Sequence, residues 1–412
     1  MGFTYDIQAA KKDVASGRCL FLCHMLGAVI SVFVSTFFVA HIYSLSVNTF
    51  DYLKNVAIYY FVVYLTFLLT NYFMCYIVDK TNRVWVFRFS LLLRLAVVLV
   101  MIFFGQNLAT LLPLAGFMFG FAEGTYYASY NVMKQEMVSR KTMGTFATYG
   151  MIVTKVMEIV TPIALGSLMS ISSFKESAIF VAIVSAVILI ISFFIKSKKP
   201  EASNFNLWAY FKKLKEDNIA NKKIKNLYVA GIFYGLASTM FPLVNACIMI
   251  EVNSTMSLGG IKSLISVGTL VEIFLINKLT KPGKRSFIYA IAIIMPLVGS
   301  LIYTVMPSSA TIIACNALLA ISCVIFQTEY DIYRNGNLKE AGLYSEIAEH
   351  QMATEAIFAI GRIIGFVSLF IVSLTKSLIA FHIVFVLLSL SYSAVLYMLA
   401  RYERKFLNEK VA

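Results

Sequence analysis

The sequence predicts an all-α integral membrane protein of about twelve transmembrane helices, arranged as two pseudo-symmetric bundles of six helices each. Of its 412 residues, 59% are hydrophobic and only 14% are charged, whereas soluble domains contain roughly 25% charged residues. The hydrophobic residues fall in runs long enough to cross a bilayer, and the two halves of the chain repeat one pattern of polar residues. Together these observations exclude a soluble globular protein.

The apolar runs form two groups of six on either side of a polar segment. Each run can cross about 30 Å of hydrocarbon as a helix. In the first group they are 19–43, 55–78, 86–105, 109–133, 145–170 and 177–196, and in the second they are 227–250, 257–278, 286–306, 309–333, 350–374 and 378–401. We therefore expect an N-terminal bundle over residues 1–196, a linker over 197–225 and a C-terminal bundle over 226–412.

The basic residues predict the orientation of these spans. Lysine and arginine concentrate in one set of alternate loops and in the linker, and the other set holds little beyond Lys54, Lys175 and Lys376. Because cytoplasmic loops carry the excess of basic residues, we expect a multi-pass protein of the cytoplasmic membrane with both termini in the cytoplasm. The net charge of +14 is then a topology signal, and no nucleic-acid partner is expected.

The linker contains one amphipathic stretch. Its apolar positions are interspersed among lysines and are Leu207, Trp208, Tyr210, Phe211 and Leu214. This pattern fits a helix that lies on an anionic membrane surface, and it fits a solvated connection between two bundles equally well.

The two halves repeat an acidic, tyrosine-rich helix followed by a charged helix. The fourth span ends in EGTYYASYN and the tenth ends in QTEYDIYRNGN, while the fifth and eleventh spans carry ionisable residues. Such repeats are typical of secondary transporters, whose binding sites lie near the membrane midplane between the repeats. Within the fourth span, Gly116, Gly120 and Gly124 recur every four residues, so we expect a neighbouring helix to approach closely there.

The loop after the second span resembles a signature of the major facilitator superfamily. That signature is Gly-x-x-x-Asp-Arg/Lys-x-Gly-Arg, and the matching segment is Cys75-Tyr-Ile-Val-Asp79-Lys80-Thr-Asn82-Arg83. The acidic and basic positions match, and Cys75 and Asn82 replace glycines. The resemblance covers nearly the whole chain and implies the fold of that family. It also implies that Asp79, Lys80 and Arg83 form a gate, in which the acid pairs near the eleventh helix.

Four glutamates in or near the apolar spans are candidate proton-coupling residues. An ionisable group inside a membrane helix is costly and usually faces a bundle interior or a water-filled cavity. These residues are Glu123, Glu158, Glu272 and Glu355. We rank Glu123 first, because its proton affinity would rise on burial and fall beside a cation. The alternative is a structural acid that forms a hydrogen bond near Tyr127.

The candidate substrate-binding residues are cations, amides and tyrosines of the same spans, namely Tyr127, Tyr130, Asn131, Lys155, Asn245, Gln327 and Arg362. Arg362 is the strongest candidate anchor for an anion, since a guanidinium stays charged and can bind a carboxylate through two hydrogen bonds. Lys155 lies three residues before Glu158, so the two can form an ion pair that either fixes the helix or opens for substrate. We expect the ionisable residues of the fifth and eleventh helices to share one central cavity, and Arg94 to snorkel or to brace the bundle.

These features predict a secondary active transporter, coupled to protons, that moves a small polar or amphipathic organic solute by alternating access. Two alternatives stay open: a lipid or glycolipid flippase of the same fold, and a membrane sensor that does not transport. The sequence contains no nucleophile and base pattern, metal-ligand spacing or phosphate-binding loop, so we expect no enzyme, metal or cofactor. The expected partners are a small-molecule or lipid-like substrate, protons and membrane lipids, and we expect a monomer.

Overall fold

A computed structural model describes residues 7–137, 143–196, 205–216, 218–279, 285–343 and 346–411. Within these ranges the chain is helical and has no β-strand. The elements of the first half are α1 (Ile7–Val32), a π-helical turn (Phe33–Phe38), α2 (Val39–Ser44), α3 (Thr49–Lys80), α4 (Arg83–Phe104), α5 (Leu108–Met137), α6 (Met143–Ile171) and α7 (Phe174–Ser192). They are followed by a short helix, α8 (Leu207–Leu214), and then by α9 (Ile219–Ser238), α10 (Met240–Val252), α11 (Thr255–Leu279), α12 (Arg285–Val305), α13 (Ser309–Glu340), α14 (Ile347–Thr375) and α15 (Leu378–Val411). The all-α membrane fold expected from the sequence is therefore confirmed.

Within the described part of the chain, eight helical segments are long and apolar enough to cross a membrane. Two of them join consecutive elements: Gly17–Ser44 runs through α1, the π-helical turn and α2, and Asn221–Val252 runs through α9 and α10. Shorter apolar helices cover Thr255–Val271, Ala290–Val305 and Ser309–Cys323. The chain is thus a multi-pass membrane protein.

Asparagine and serine side chains begin several of the helices after short loops. Asn48 accepts a hydrogen bond from the backbone N–H of Asp51 at the start of α3, and Asn82 accepts one from Val84 at the start of α4. Ser173 caps α7 in the same way. These caps satisfy backbone donors that have no partner inside the helix. The caps therefore fix where these helices begin after their loops.

Glycines let α5 approach α3 as closely as the sequence predicts. A Cβ atom built at Gly116 would lie 2.8 Å from the carbonyl oxygen of Tyr59, and one built at Gly120 would lie closer still to that of Val63. Gly124 meets α3 in the same way. The repeat of small residues therefore packs two backbones together, an arrangement that is common between membrane helices.

The two halves of the chain make their most extensive contacts along two helix pairs, α3 with α14 and α6 with α11. In the first pair Tyr60 stacks on Phe366, with ring centroids 5.0 Å apart. In the second pair Ser263 of α11 donates a hydrogen bond of 2.6 Å to the carbonyl oxygen of Ile159, and Gly166 lies against Gly259. The space enclosed between these pairs contains the candidate site.

The amphipathic helix α8 packs against α14 and α9. The buried Tyr210 hydroxyl lies 2.6 Å from the Tyr228 hydroxyl and 2.8 Å from Nδ1 of His350. Burial raises the pKa of Tyr210, so its hydroxyl stays protonated and available for these hydrogen bonds. Trp208, in contrast, is 80% exposed. Protein therefore covers Tyr210 and Leu214 but not Trp208. We call the end of the molecule that carries α8 the linker end.

Candidate functional site

A cavity of about 430 Å³ lies between the halves, and we call it the α6–α11 cavity. Its polar lining comes from both halves and includes His24, Ser31 and Ser35 near α1, Arg94 of α4, Lys155 and Glu158 of α6, Asn245 of α10, Lys262 of α11 and Asn316 of α13. Its volume lies within the roughly 300–1,000 Å³ typical of ligand pockets. Most ionisable side chains in this lining are basic.

An ion pair and a further cation face this cavity. Nζ of Lys155 lies 2.6 Å from Oε2 of Glu158, as their spacing on the helix predicts. Lys262 lies within electrostatic reach of both residues. Sequence analysis missed Lys262, although a signal was present, since it is the one ionisable residue in the apolar helix Thr255–Val271. Two cations and one acid therefore come together from α6 and α11.

Two buried amides belong to the same lining. Nδ2 of Asn245 donates a hydrogen bond of 3.1 Å to the carbonyl oxygen of Ser35, which joins α10 to the π-helical turn. Within the part of the chain that the structure describes, Oδ1 of Asn245 and Nδ2 of Asn316 have no hydrogen-bond partner. Sequence analysis proposed Asn245 as a substrate ligand and missed Asn316.

A second cavity, of about 370 Å³, lies beside the first, and we call it the α3–α14 cavity. Tyr60, Tyr64 and Phe67 of α3, Glu123 and Tyr127 of α5, and Glu355, Phe358 and Arg362 of α14 line it. Nε of Arg362 donates a hydrogen bond of 2.9 Å to Oγ of Ser238, and its guanidinium lies 4.8 Å from the centre of the Tyr64 ring. Ser31, Ser35 and Tyr127 line both cavities and form the partition between them. The charged residues of α6 and α14 are thus divided between two adjoining cavities, whereas we expected one.

A buried ion pair connects the two cavities. Nη2 of Arg94 lies 2.7 Å from Oε1 of Glu123; Arg94 lines the α6–α11 cavity and Glu123 lines the α3–α14 cavity. The guanidinium also lies 3.5 Å from the centre of the Tyr126 ring. We expected Arg94 to snorkel or to brace the bundle, and because it is only 2% exposed it does not snorkel. It braces the bundle from inside.

The remaining candidate residues occupy different places. The ring of Tyr130 stacks on His24 at 4.3 Å, and His24 in turn forms a hydrogen bond of 2.9 Å with the Tyr126 hydroxyl. Neither Tyr130 nor the half-buried Asn131 is among the residues that line the two cavities. The side chains of Glu272 and Gln327 lie outside the part of the chain that the structure describes.

The candidate gate lies at the linker end. Oδ2 of the buried Asp79 accepts a hydrogen bond of 3.1 Å from the backbone N–H of Phe205, and Oε1 of Glu349 in α14 accepts one of 2.9 Å from the next residue, Asn206. Nε of Arg83 donates to the carbonyl oxygen of Val78, 3.3 Å away. Lys80 is exposed and lies over the Tyr76 ring. Carboxylates from both halves therefore bind the segment that leads into α8.

The sequence of the chain is similar to a known protein family and to a known protein. The family described as the Major Facilitator Superfamily matches residues 19–329. The relative named "Uncharacterized protein YqgE", from Bacillus subtilis (strain 168), is 25% identical over 224 residues, which make up 53% of this chain and 50% of that protein. The match therefore spans half the length of that relative.

Two solved structures share the fold. A POT family transporter in complex with 5-aminolevulinic acid superposes with a TM-score of 0.70 at 10% identity over 98% of both chains. The human organic anion transporter MFSD10 (TETRAN) superposes with a TM-score of 0.63 at 12% identity, over 94% of this chain and 99% of the other. At these identities the similarity establishes the fold alone.

Proposed function

This chain belongs to the major facilitator superfamily, and we propose that it is a proton-coupled secondary transporter that moves a small organic solute with an anionic group by alternating access. Membrane transport itself is supported by the family and by the transporter structures that share the fold. The observation that carries the rest of the proposal is the Arg94–Glu123 pair, whose members line different cavities.

The proposed coupling follows from the cost of burying an unpaired charge. A buried carboxylate without a counter-ion takes up a proton, whereas one beside a guanidinium stays ionised. If a solute anion in the α6–α11 cavity attracts Arg94, Glu123 loses its partner and gains affinity for a proton. Solute and proton would then bind together, and each would promote the other's binding.

The other candidate residues take supporting roles in this proposal. The solute in the α6–α11 cavity contacts Lys155, Tyr127 and Asn245, and Arg362 offers its anionic group a second position in the α3–α14 cavity. Glu158 and Glu355 balance the cations in the absence of solute. The linker end is controlled by Asp79, Lys80 and Arg83. Two details come from the sequence pattern: the cytoplasmic membrane as location and the cytoplasmic position of the termini and linker. A cysteine at position 213 that reacts with an impermeant reagent from outside intact cells would contradict this orientation.

The proposed coupling can be tested in sealed proteoliposomes with a panel of labelled organic acids that includes 5-aminolevulinate. We expect the wild type to accumulate at least one acid under an imposed proton gradient, and a proton ionophore to abolish this accumulation. Glu123→Gln should still bind and exchange the acid but should not accumulate it. Accumulation by this variant would show that Glu123 is structural, and movement of a lipid analogue instead of any acid would favour a flippase.

A further inference from the structure

The α6–α11 cavity contains one more cation than its ion pairs neutralise. Arg94, Lys155 and Lys262 line it. Arg94 pairs with Glu123 and Lys155 pairs with Glu158. Among the residues that the structure describes, no carboxylate lies within the 4.0 Å ion-pair distance of Lys262. One positive charge in this cavity is therefore left without an ion-pair partner.

An ammonium group without a counter-ion is costly inside a bundle of membrane helices. Charged side chains inside a membrane protein are retained where they pair with one another or line a path for a ligand or ion. Lys262 interacts electrostatically with Glu158, which is also the ion-pair partner of Lys155. One carboxylate therefore serves two ammonium groups. A ligand that brings one further negative charge would complete two pairs.

The amides beside these cations point to the rest of the ligand. Asn245 is 4% exposed and Asn316 is 2% exposed, and each has a polar atom without a hydrogen-bond partner in the described part of the chain. Buried polar atoms are usually satisfied, and leaving one without a partner is unfavourable. Asn316 offers a donor and Asn245 offers an acceptor, which suits a neutral polar group such as an amide.

We propose that the α6–α11 cavity binds an organic monocarboxylate, with its carboxylate on Lys262 and a neighbouring amide, carbonyl or hydroxyl group on Asn316 and Asn245. While the Arg94–Glu123 pair is intact, the single unneutralised charge favours a monoanion over a dianion, and the volume of about 430 Å³ suits a small molecule. This inference rests on the proposed function, and it moves the main anion anchor from Arg362 to Lys262.

The test measures binding to purified full-length protein by thermal shift. The probes are N-acetylglycine and pyroglutamate, each compared with its methyl ester, which lacks the negative charge. We expect at least one acid to raise the Tm of the wild type while its ester does not. Lys262→Gln should weaken binding of that acid roughly tenfold to a hundredfold, the effect of losing a hydrogen bond between charged groups, and Lys262→Arg should retain it.

Two further variants separate binding from structure. Lys262→Gln should raise the Tm of the ligand-free protein, because it removes a half-buried charge without an ion-pair partner among the described residues, whereas a structural lysine would lower it. Asn316→Leu should weaken the binding of the amide-bearing acids. Lys54→Gln, which alters a partly exposed ion pair, should leave the binding of every acid unchanged. The inference is overturned if no acid binds, if esters bind as well as acids, or if Lys262→Gln keeps the wild-type affinity.

The same acid separates this inference from the proposed function. If Lys262→Gln accumulates the acid with wild-type half-saturation and full sensitivity to the ionophore, the inference fails and proton coupling stands. If the wild type binds the acid through Lys262 but the ionophore does not change its uptake of the acid, the proposed site is supported and the proposed proton coupling is wrong.

Discussion

At the scale of single residues, the pairing of buried charges is the main feature of this protein. Glu123 and the Lys155–Glu158 pair could be predicted from sequence, because a charge in an apolar run is conspicuous and a spacing of three residues brings side chains together. The Arg94–Glu123 pair could not be predicted, because it joins α4 to α5, and which faces of two helices meet depends on packing that periodicity does not specify.

The Arg94–Glu123 pair yields a prediction about stability. Arg94→Gln leaves the Glu123 carboxylate buried without its counter-ion, which should cost about 3–5 kcal/mol and lower the Tm strongly. Arg94→Gln combined with Glu123→Gln should recover much of this loss. Lys54→Gln is the matched control, since it breaks an ion pair whose side chains are 38% and 24% exposed and should cost about 0–1 kcal/mol. Equal Tm values for Arg94→Gln and Lys54→Gln would mean that the buried pair does not stabilise the fold.

At the scale of helices, small residues determine how closely the elements pack. Besides the α3–α5 contact, Gly235 of α9 meets Gly361 of α14, and Gly166 meets Gly259 between α6 and α11. Only the first contact was predicted, because its three glycines repeat every four residues in one helix. Gly235 and Gly361 also belong to four-residue spacings, with Gly231 and Gly365, but a spacing within one helix does not specify which distant helix it meets. Gly166 and Gly259 have no such repeat, and in both contacts the partners lie far apart along the chain.

Gly120 and Gly260 provide a matched comparison for this packing. A Cβ atom at Gly120 would overlap the carbonyl oxygen of Val63, which is backbone and cannot move aside, whereas a Cβ atom at Gly260 would meet nothing within 4 Å. Gly120→Ala should therefore lower the free energy of unfolding by about 1–3 kcal/mol. Gly260→Ala should not lower it. Thermal unfolding of the two purified variants measures this difference, and a Gly120→Ala protein as stable as the wild type would show that α3 and α5 can separate freely.

For the protein as a whole, the sequence predicts the fold class well and the contacts of the candidate gate residues poorly. Long apolar runs and the Asp79 motif are enough to predict a helical membrane protein of this family. The resemblance implied that Asp79 pairs near the eleventh helix, and in the structure it accepts a hydrogen bond from Phe205 while Glu349 of α14 accepts one from Asn206. No motif describes this contact, because the segment before α8 has no periodic pattern and its partners come from both halves.

The contact suggests how the linker end is held shut. Helices α3 and α14 meet near that end, where Cys75 and Val78 pack against Met352, and again beyond the α3–α14 cavity, where Tyr60 stacks on Phe366. The proposed alternating access would require these two regions to part in turn. Opening of the linker end would have to release the Asp79 or the Glu349 contact, so we propose that the segment before α8 acts as a strap across the two halves.

We therefore predict that Asp79→Asn shifts the population toward a state open at the linker end. An amide oxygen accepts a weaker hydrogen bond than a carboxylate, and a loss of about 1.4 kcal/mol would change the ratio of the two states roughly tenfold. The distance between spin labels at the exposed positions 81 and 226 should be longer in this variant than in the wild type. It should be longer still when Glu349→Gln is added. Glu176→Gln, which alters an acid at the start of α7, is the control and should leave the distances unchanged. If the distances in Asp79→Asn match those of the control, the strap does not hold the linker end, and the closed state must depend on the packing of α3 against α14 alone.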